Sequence, residues 1–200
     1  DSAEWMGGYA DLVCRRLGDR VTNWITLNEP QCFVLLGHET GVHAPGLKLP
    51  ESDILQISHN ALMAHGRAVQ VIREHAKQPP RVGIAPVGIV SAPETEREVD
   101  VEAARRSTFN GATDSLFNTT WWLDPVFFGR YPEAAVAKRL DNMPVVRAED
   151  MKLISEPVDF CAFNLYQAGL VRAGADGAVE AVPYPEGHPV TAMEWPITPD

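Results

Sequence analysis

The run Val21-Thr22-Asn23-Trp24-Ile25-Thr26-Leu27 breaks off into Asn28-Glu29-Pro30, and the reading of the whole chain turns on that junction. β-Branched and large apolar side chains crowd the run. That composition predicts a strand buried on both faces, as in a parallel sheet. Proline has no N–H to give to a ladder, so the strand stops here and the chain turns. An Asn and a Glu are left at the C-terminal end of a buried strand, where parallel α/β folds build their sites.

Upstream, residues 2–17 read as a helix with Trp5, Met6, Tyr9, Ala10, Val13 and Leu17 on its apolar face and Gly18 as the stop. Downstream comes a loop containing Gly41-Val42-His43-Ala44-Pro45-Gly46, then an amphipathic helix over 52–75 closed by Pro79-Pro80. Residues 81–87 form a second buried strand, followed by a polar loop over 91–98 and a third helical stretch over 100–117. Short helices are predicted over 133–140 and 148–154, and a third buried strand over 158–163 that ends in Asn164-Leu165-Tyr166. The tail over 174–200 reads as loop.

Alternating strands and helices predict an α/β fold with a parallel sheet. An open doubly wound sheet and an arc of a (β/α)8 barrel both fit. No strand runs into a G-x-G-x-x-G turn or a phosphate loop, which disfavours a dinucleotide-binding domain. A whole barrel needs eight strands and about 250 residues. With three strands in 200 residues, the expectation is an incomplete barrel, its residues 1–200 forming one partial domain of three strand–helix units.

Composition narrows the function. The formal net charge of −10 repels phosphate backbones and argues against nucleic acid. No stretch of about 18 uninterrupted apolar residues occurs, so a membrane span is not expected. Cys14, Cys32 and Cys161 lie far apart among apolar residues and read as small buried side chains in a reducing compartment. Neither they nor the six scattered histidines have metal-site spacing, and no metal or cofactor is called for. His38 and His43 read as loop braces, and Trp121 and Trp122 as core and loop packing. The sequon Asn118-Thr119-Thr120 is discounted. The chain opens at Asp1 without a Met, as expected of a piece of a longer protein. The bacterial cytoplasm is the expected location.

Two strand ends carry the candidate chemistry. Asn28 and Glu29 follow the first strand, and Asn164 and Tyr166 follow the third. Position alone leaves a bland alternative open at each: polar residues before a helix-starting proline, and a half-buried tyrosine at a strand exit.

The wider pattern is more specific. Trp24-Ile25-Thr26-Leu27-Asn28-Glu29-Pro30 resembles the W-x-T-[FL]-N-E-P signature of glycoside hydrolase family 1, found at the end of that family's fourth barrel strand. Gly18-Asp19-Arg20-Val21 precedes it as in the family. Gly37-His38, the 41–46 loop, the helix segment from His59 to Ala68, Leu123-Asp124-Pro125 and Gly129-Arg130-Tyr131-Pro132 follow in family order. Asp159-Phe160 through Asn164-Leu165-Tyr166 is similar to the D-F-x-G-x-N-Y-Y strand, with Ala162 and Leu165 as departures. Glu194-Trp195-Pro196-Ile197-Thr198-Pro199 resembles the G-W-x-[IV]-x-P block, with Glu194 where Gly is usual.

The resemblance implies a retaining hydrolysis of β-glycosides by two carboxyl groups about 5–5.5 Å apart. Glu29 falls at the acid/base position: it would protonate the departing oxygen, then take a proton from water. Asn28 corresponds to the asparagine that binds the sugar 2-hydroxyl, Tyr166 to the tyrosine that holds the nucleophile, and Trp195 to a wall of the sugar entrance. Asn164 is expected to line the pocket. Plant thioglycosidases of the family carry Gln where Glu29 stands, so an O-glycosidase is implied. The family's nucleophile, in a T-E-N-G block, does not occur in this sequence, and the piece alone is expected to be inactive. The substrate is expected to be a small or oligosaccharide β-glycoside. A 6-phospho-β-glycoside or β-galactoside specificity, and a non-catalytic sugar-binding or structural relic, remain as alternatives.

Overall fold

The computed structural model describes residues 2–109 and 115–198. The middle of the third helical stretch, over 110–114, and Pro199 of the last family block lie outside the described residues. The chain divides into two compact units: Asp1–Val87 with Gly111–Phe163, and Gly88–Asn110 with Asn164–Asp200.

The first unit is built on α1 (Ser2–Leu17), β1 (Asn23–Asn28), a π-helical turn (Cys32–Leu36), α2 (Glu51–His75) and β2 (Arg81–Ala85), completed by α4 (Thr120–Phe128), α5 (Glu133–Lys138), α6 (Ala148–Ile154) and β4 (Phe160–Cys161). Its sheet has the order β1-β2-β4 and all its pairs are parallel. This is the arc the sequence predicts. The strands are shorter than expected, and only β2 is buried along nearly its whole length. β1 lies at the sheet margin among the described residues, with Ile25 half exposed, so it is not buried on both faces as expected.

The ends of α1 fall where predicted, but its face does not. Ala3, Gly7, Ala10 and Cys14 are buried, while Trp5 and Tyr9 are largely exposed. The cause is close packing on α2: a Cβ on Gly7 would lie 3.0 Å from Cγ of Arg67. Small side chains let two helices approach, and bulky ones are turned outward. Ala10 and Cys14 join Ala68, Val69, Ile72 and Val82 in one core cluster.

A second cluster gathers Leu35, Ile54, Leu55, Leu62, Ile84, Trp121, Trp122 and Ile154. Full burial of each such side chain contributes about 1.5–3 kcal/mol. Both tryptophans are indeed core, but they sit on a helix rather than a loop. Asn118 starts that helix: its Oδ1 accepts Trp121 N–H at 2.8 Å and the Thr120 hydroxyl at 3.0 Å. This is the usual work of Asn at a helix start. Gly129, at φ 65°, ends it.

The second unit was largely unforeseen. β3 (Val90–Pro93) pairs in parallel with β5 (Ala168–Ala173), which pairs antiparallel with β6 (Val179–Ala181). α3 (Glu98–Thr108) packs on them and stops well before residue 117, where the sequence pattern placed its end. The Thr108 hydroxyl donates back to Ala104 O at 2.9 Å and accepts Ser91 N–H at 3.0 Å, tying the last turn to β3. β6 falls in the 174–200 stretch expected to be loop and β3 overlaps the loop expected over 91–98, and the turn between β5 and β6 uses Gly177 at φ 80°.

Candidate active site

β1 is distorted where the candidate residues emerge. Its register against β2 is regular from Asn23 to Ile25, then shifts before Asn28, which pairs with Ala85. Bulges of this kind redirect side chains at sheet ends. Glu29 follows with φ 47°, a left-handed conformation that is costly for a side chain of this size. Its N–H donates to Ala85 O at 2.7 Å, so the strained residue is still tied to β2. Glu29 is half-buried and Asn28 exposed.

The turn after Glu29 is held from two sides. Cys32 N–H donates to Glu29 O at 2.9 Å. Gln31 is fully buried, and its amide copies a strand: Nε2 donates to Val87 O at 3.0 Å and Oε1 accepts Val87 N–H at 3.2 Å. The Cys32 Sγ lies 3.3 Å from Glu29 Oε2 as a donor. Burial, then the hydrogen bond and charge of Glu29, push the Cys32 thiol up to about 11. It is therefore a neutral S–H at neutral pH.

One layer deeper, the Thr26 hydroxyl lies 2.6 Å from His65 Nδ1 and 3.2 Å from Gly83 O. Thr26 has one hydrogen to give. His65 Nε2 finds no hydrogen-bond partner among the described residues. The tautomer that wastes no donor is Nδ1–H into the Thr26 oxygen, with Thr26 giving its own hydrogen to Gly83 O. Burial pushes His65 down to about 4, so the ring is neutral. This chain links α2, β1 and β2 three residues before Glu29.

Asn164, Tyr166 and Trp195 belong to the second unit. Asn164 O accepts Gly88 N–H at 3.1 Å. The rings of Tyr166 and Trp195 meet with centroids 5.4 Å apart and planes at 52°. The structure thus brings together two of the sequence candidates in this unit, and Asn28 with Glu29 in the other. Trp195 sits on a turn closed by Thr191 N–H to Trp195 O at 2.8 Å. Glu194 in that turn has φ 62°, a conformation suited to the Gly usual in the resembling block. Among the described residues no group of three or more His, Cys, Asp or Glu side chains could hold a metal. His38 braces its helix end through Nδ1 on Phe33 O at 3.0 Å.

Comparison with known proteins decides the family. The model of glycosyl hydrolase family 1 matches residues 3–196. The chain belongs to that family. Beta-glucosidase A of Thermotoga maritima is 36% identical over 99% of this chain and 43% of its own length. Beta-glucosidase A of Acetivibrio thermocellus is 37% identical over the whole chain and 44% of its length. The structure of the T. maritima β-glucosidase with glucoimidazole superposes with a TM-score of 0.78, covering 99% of this chain and 42% of that one. The chain therefore spans less than half the length of these relatives. Its fold is part of a (β/α)8 barrel, and the β1-β2-β4 arc agrees with that.

The resemblance assigns no role to Gln31, Cys32, Thr26 or His65, although Thr26 stands in the W-x-T-[FL]-N-E-P motif and His65 in the matching His59–Ala68 segment. Cys32 was grouped with the buried thiols, yet it is only half-buried and faces Glu29. For Gln31 and Cys32 the sequence signal is proximity: they directly follow Glu29-Pro30.

Proposed function

We propose that the complete protein carrying this chain is a retaining O-glycosidase of β-glucosidase type, with Glu29 as its acid/base. The observation that carries the reading is the Glu29 carboxyl at the end of a parallel strand, set there by a bulge and a left-handed backbone inside the family's N-E-P motif. Strain of this kind persists where the surroundings over-determine it. Relatives named beta-glucosidase and 1,4-beta-D-glucan glucohydrolase support a β-glucoside as substrate. Residues 1–200 form one stretch of that enzyme's catalytic barrel. Three free thiols support a reducing, cytoplasmic setting.

In the first step a nucleophilic carboxylate, outside this sequence, forms a bond to the anomeric carbon. The bond from that carbon to the leaving oxygen breaks, and Glu29 supplies the proton that oxygen needs. In the second step Glu29, now ionised, takes a proton from water as the water oxygen displaces the carboxylate. Asn28 hydrogen-bonds the sugar 2-hydroxyl. Tyr166 orients the nucleophile, Asn164 lines the pocket and Trp195 walls the sugar entrance; the Tyr166–Trp195 ring contact supports a shared aromatic wall.

The test is Glu29→Gln in the complete protein. Positioned general acids contribute about 10²–10⁴-fold. The variant should lose about that factor on cellobiose and far less in the glycosylation of an aryl glycoside with an activated leaving group. Unchanged turnover of cellobiose would refute the assignment.

A further inference from the structure

The first turn after Glu29 carries more than a chain reversal. A catalytic carboxylic acid has two oxygens and one proton, and only one arrangement aims that proton at the substrate. Resting on the acid/base reading of Glu29, we propose that Cys32 is a positioning residue: its thiol donates to Glu29 Oε2 and so leaves the catalytic proton on Oε1.

The geometry supports each part. Sγ is 3.3 Å from Oε2, within reach of an S–H···O hydrogen bond. The contact does not depend on a wandering side chain, because Cys32 N–H to Glu29 O at 2.9 Å closes the same turn through the backbone. Gln31, clamped at both ends of its amide to Val87, fixes the turn against the end of β2. The turn then enters the π-helical segment Cys32–Leu36, with Val34 and Leu35 buried. π-Turns are uncommon and recur at functional sites.

Chemistry sets the direction. Sulfur is a weak acceptor and a carbonyl oxygen a strong one, so S–H gives to Oε2 rather than receiving from it. In the neutral acid, Oε2 is then the carbonyl oxygen and Oε1 carries the hydrogen. Once Glu29 has given that hydrogen away, the same S–H meets a carboxylate and the bond strengthens. The thiol therefore favours the donated state more than the waiting state, the differential that speeds a proton transfer.

The experiment uses the complete protein and three single variants: Cys32→Ala, Cys32→Ser and Glu29→Gln. Cys32→Ala should lower kcat on cellobiose by about tenfold, a part of the full general-acid contribution. It should leave KM and the glycosylation rate on an activated aryl glycoside within about twofold, since that leaving group needs little protonation. Cys32→Ser keeps a hydroxyl donor at the site and should recover most of the cellobiose rate. Equal losses on both substrates, no loss on either, or a serine variant as poor as alanine would each overturn the proposal. A second measurement is independent of turnover. Alkylation of Cys32 by iodoacetamide at about pH 9, where a carboxyl group is ionised, followed by peptide mass spectrometry, should be several-fold faster in Glu29→Gln, because removing the carboxylate charge eases thiolate formation. An unchanged rate would overturn the contact itself. Glu29→Gln with wild-type cellobiose turnover would instead sink the acid/base reading, so the two failures are distinct.

Discussion

Replacing Gly83 by Ala should destabilise the protein, and the structure sets the size. Gly83 lies in the middle of β2 and pairs with Phe160 of β4. An added Cβ would stand 2.5 Å from ring carbons Cδ2 and Cε2 of Phe160 and 2.5 Å from its carbonyl oxygen. Carbon contacts settle near 3.5–4.0 Å, so the new atom is about 1 Å too close. The ring can swing aside, but the carbonyl oxygen belongs to the ladder. Overpacking of this kind costs about 1–3 kcal/mol. Against it stands the unfolded-state freedom lost with glycine, which returns about 0.4–1 kcal/mol. Relief by shifting β4 breaks pairs in a strand only two residues long, so the upper part of the range applies and the net loss is about 2 kcal/mol. Gly169→Ala is the matched control: it too lies inside a strand, and none of the described residues' heavy atoms approaches its would-be Cβ within 4 Å. That variant should gain about 0.5 kcal/mol. Thermal midpoints of the complete protein, scanned under one condition, should order Gly169→Ala, wild type, Gly83→Ala from high to low. Gly83→Ala melting at or above wild type would refute the argument.

Other outcomes follow from the same geometry. Glu194→Gly should stabilise the protein by about 1 kcal/mol, since a left-handed conformation costs a side-chain-bearing residue that much; a lower thermal midpoint would contradict it. Thr26→Val removes the hydroxyl between His65 and Gly83; leaving those groups unpaired should cost about 1–3 kcal/mol by denaturant titration, and a neutral effect would show that the bridge contributes nothing. His65 sets a pH dependence. Its folded value of about 4 lies below the unfolded 6.5, so the neutral ring's contribution is full above pH 6.5 and is lost as pH falls toward 4. His65→Asn, which keeps a hydrogen-bonding atom near Nδ1, should flatten the stability–pH curve in that window; an unchanged slope would rule His65 out.

Strand and helix order in the first unit was legible because buried strands announce themselves. β2, RVGIA, is apolar and closely bounded by prolines, and it was placed nearly to the residue. Helix faces were less legible. The Trp5/Tyr9 stripe of α1 looked like core by hydrophobicity, but the close α1–α2 contact selects Ala3, Gly7, Ala10 and Cys14 by size. α4 was hidden by Pro125 within it, a residue that argues against a helix unless the surrounding core holds it. The β3-β5-β6 sheet was hidden because its strands are short and half exposed and the tail is rich in Gly and Pro. Of the candidate site, Asn28, Glu29, Asn164 and Tyr166 were legible as polar groups at the ends of buried strands and took their roles from motif resemblance, which alone supplied Trp195. The supports were not legible, because a Gln that imitates a backbone and a Cys that faces a carboxyl have no sequence period to reveal them.

The interleaving of the two units bears on how such genes can be recombined. The chain leaves the first unit after Val87, returns at Gly111 and leaves again after Phe163. A chimera with one crossover inside this stretch would inherit β3 from one parent and its partner β5 from the other, for any junction from 94 to 167. Swapping 88–110 together with 164–200 as a paired cassette keeps each unit's parentage whole, and libraries built on that scheme should retain far more folded members than single-junction ones.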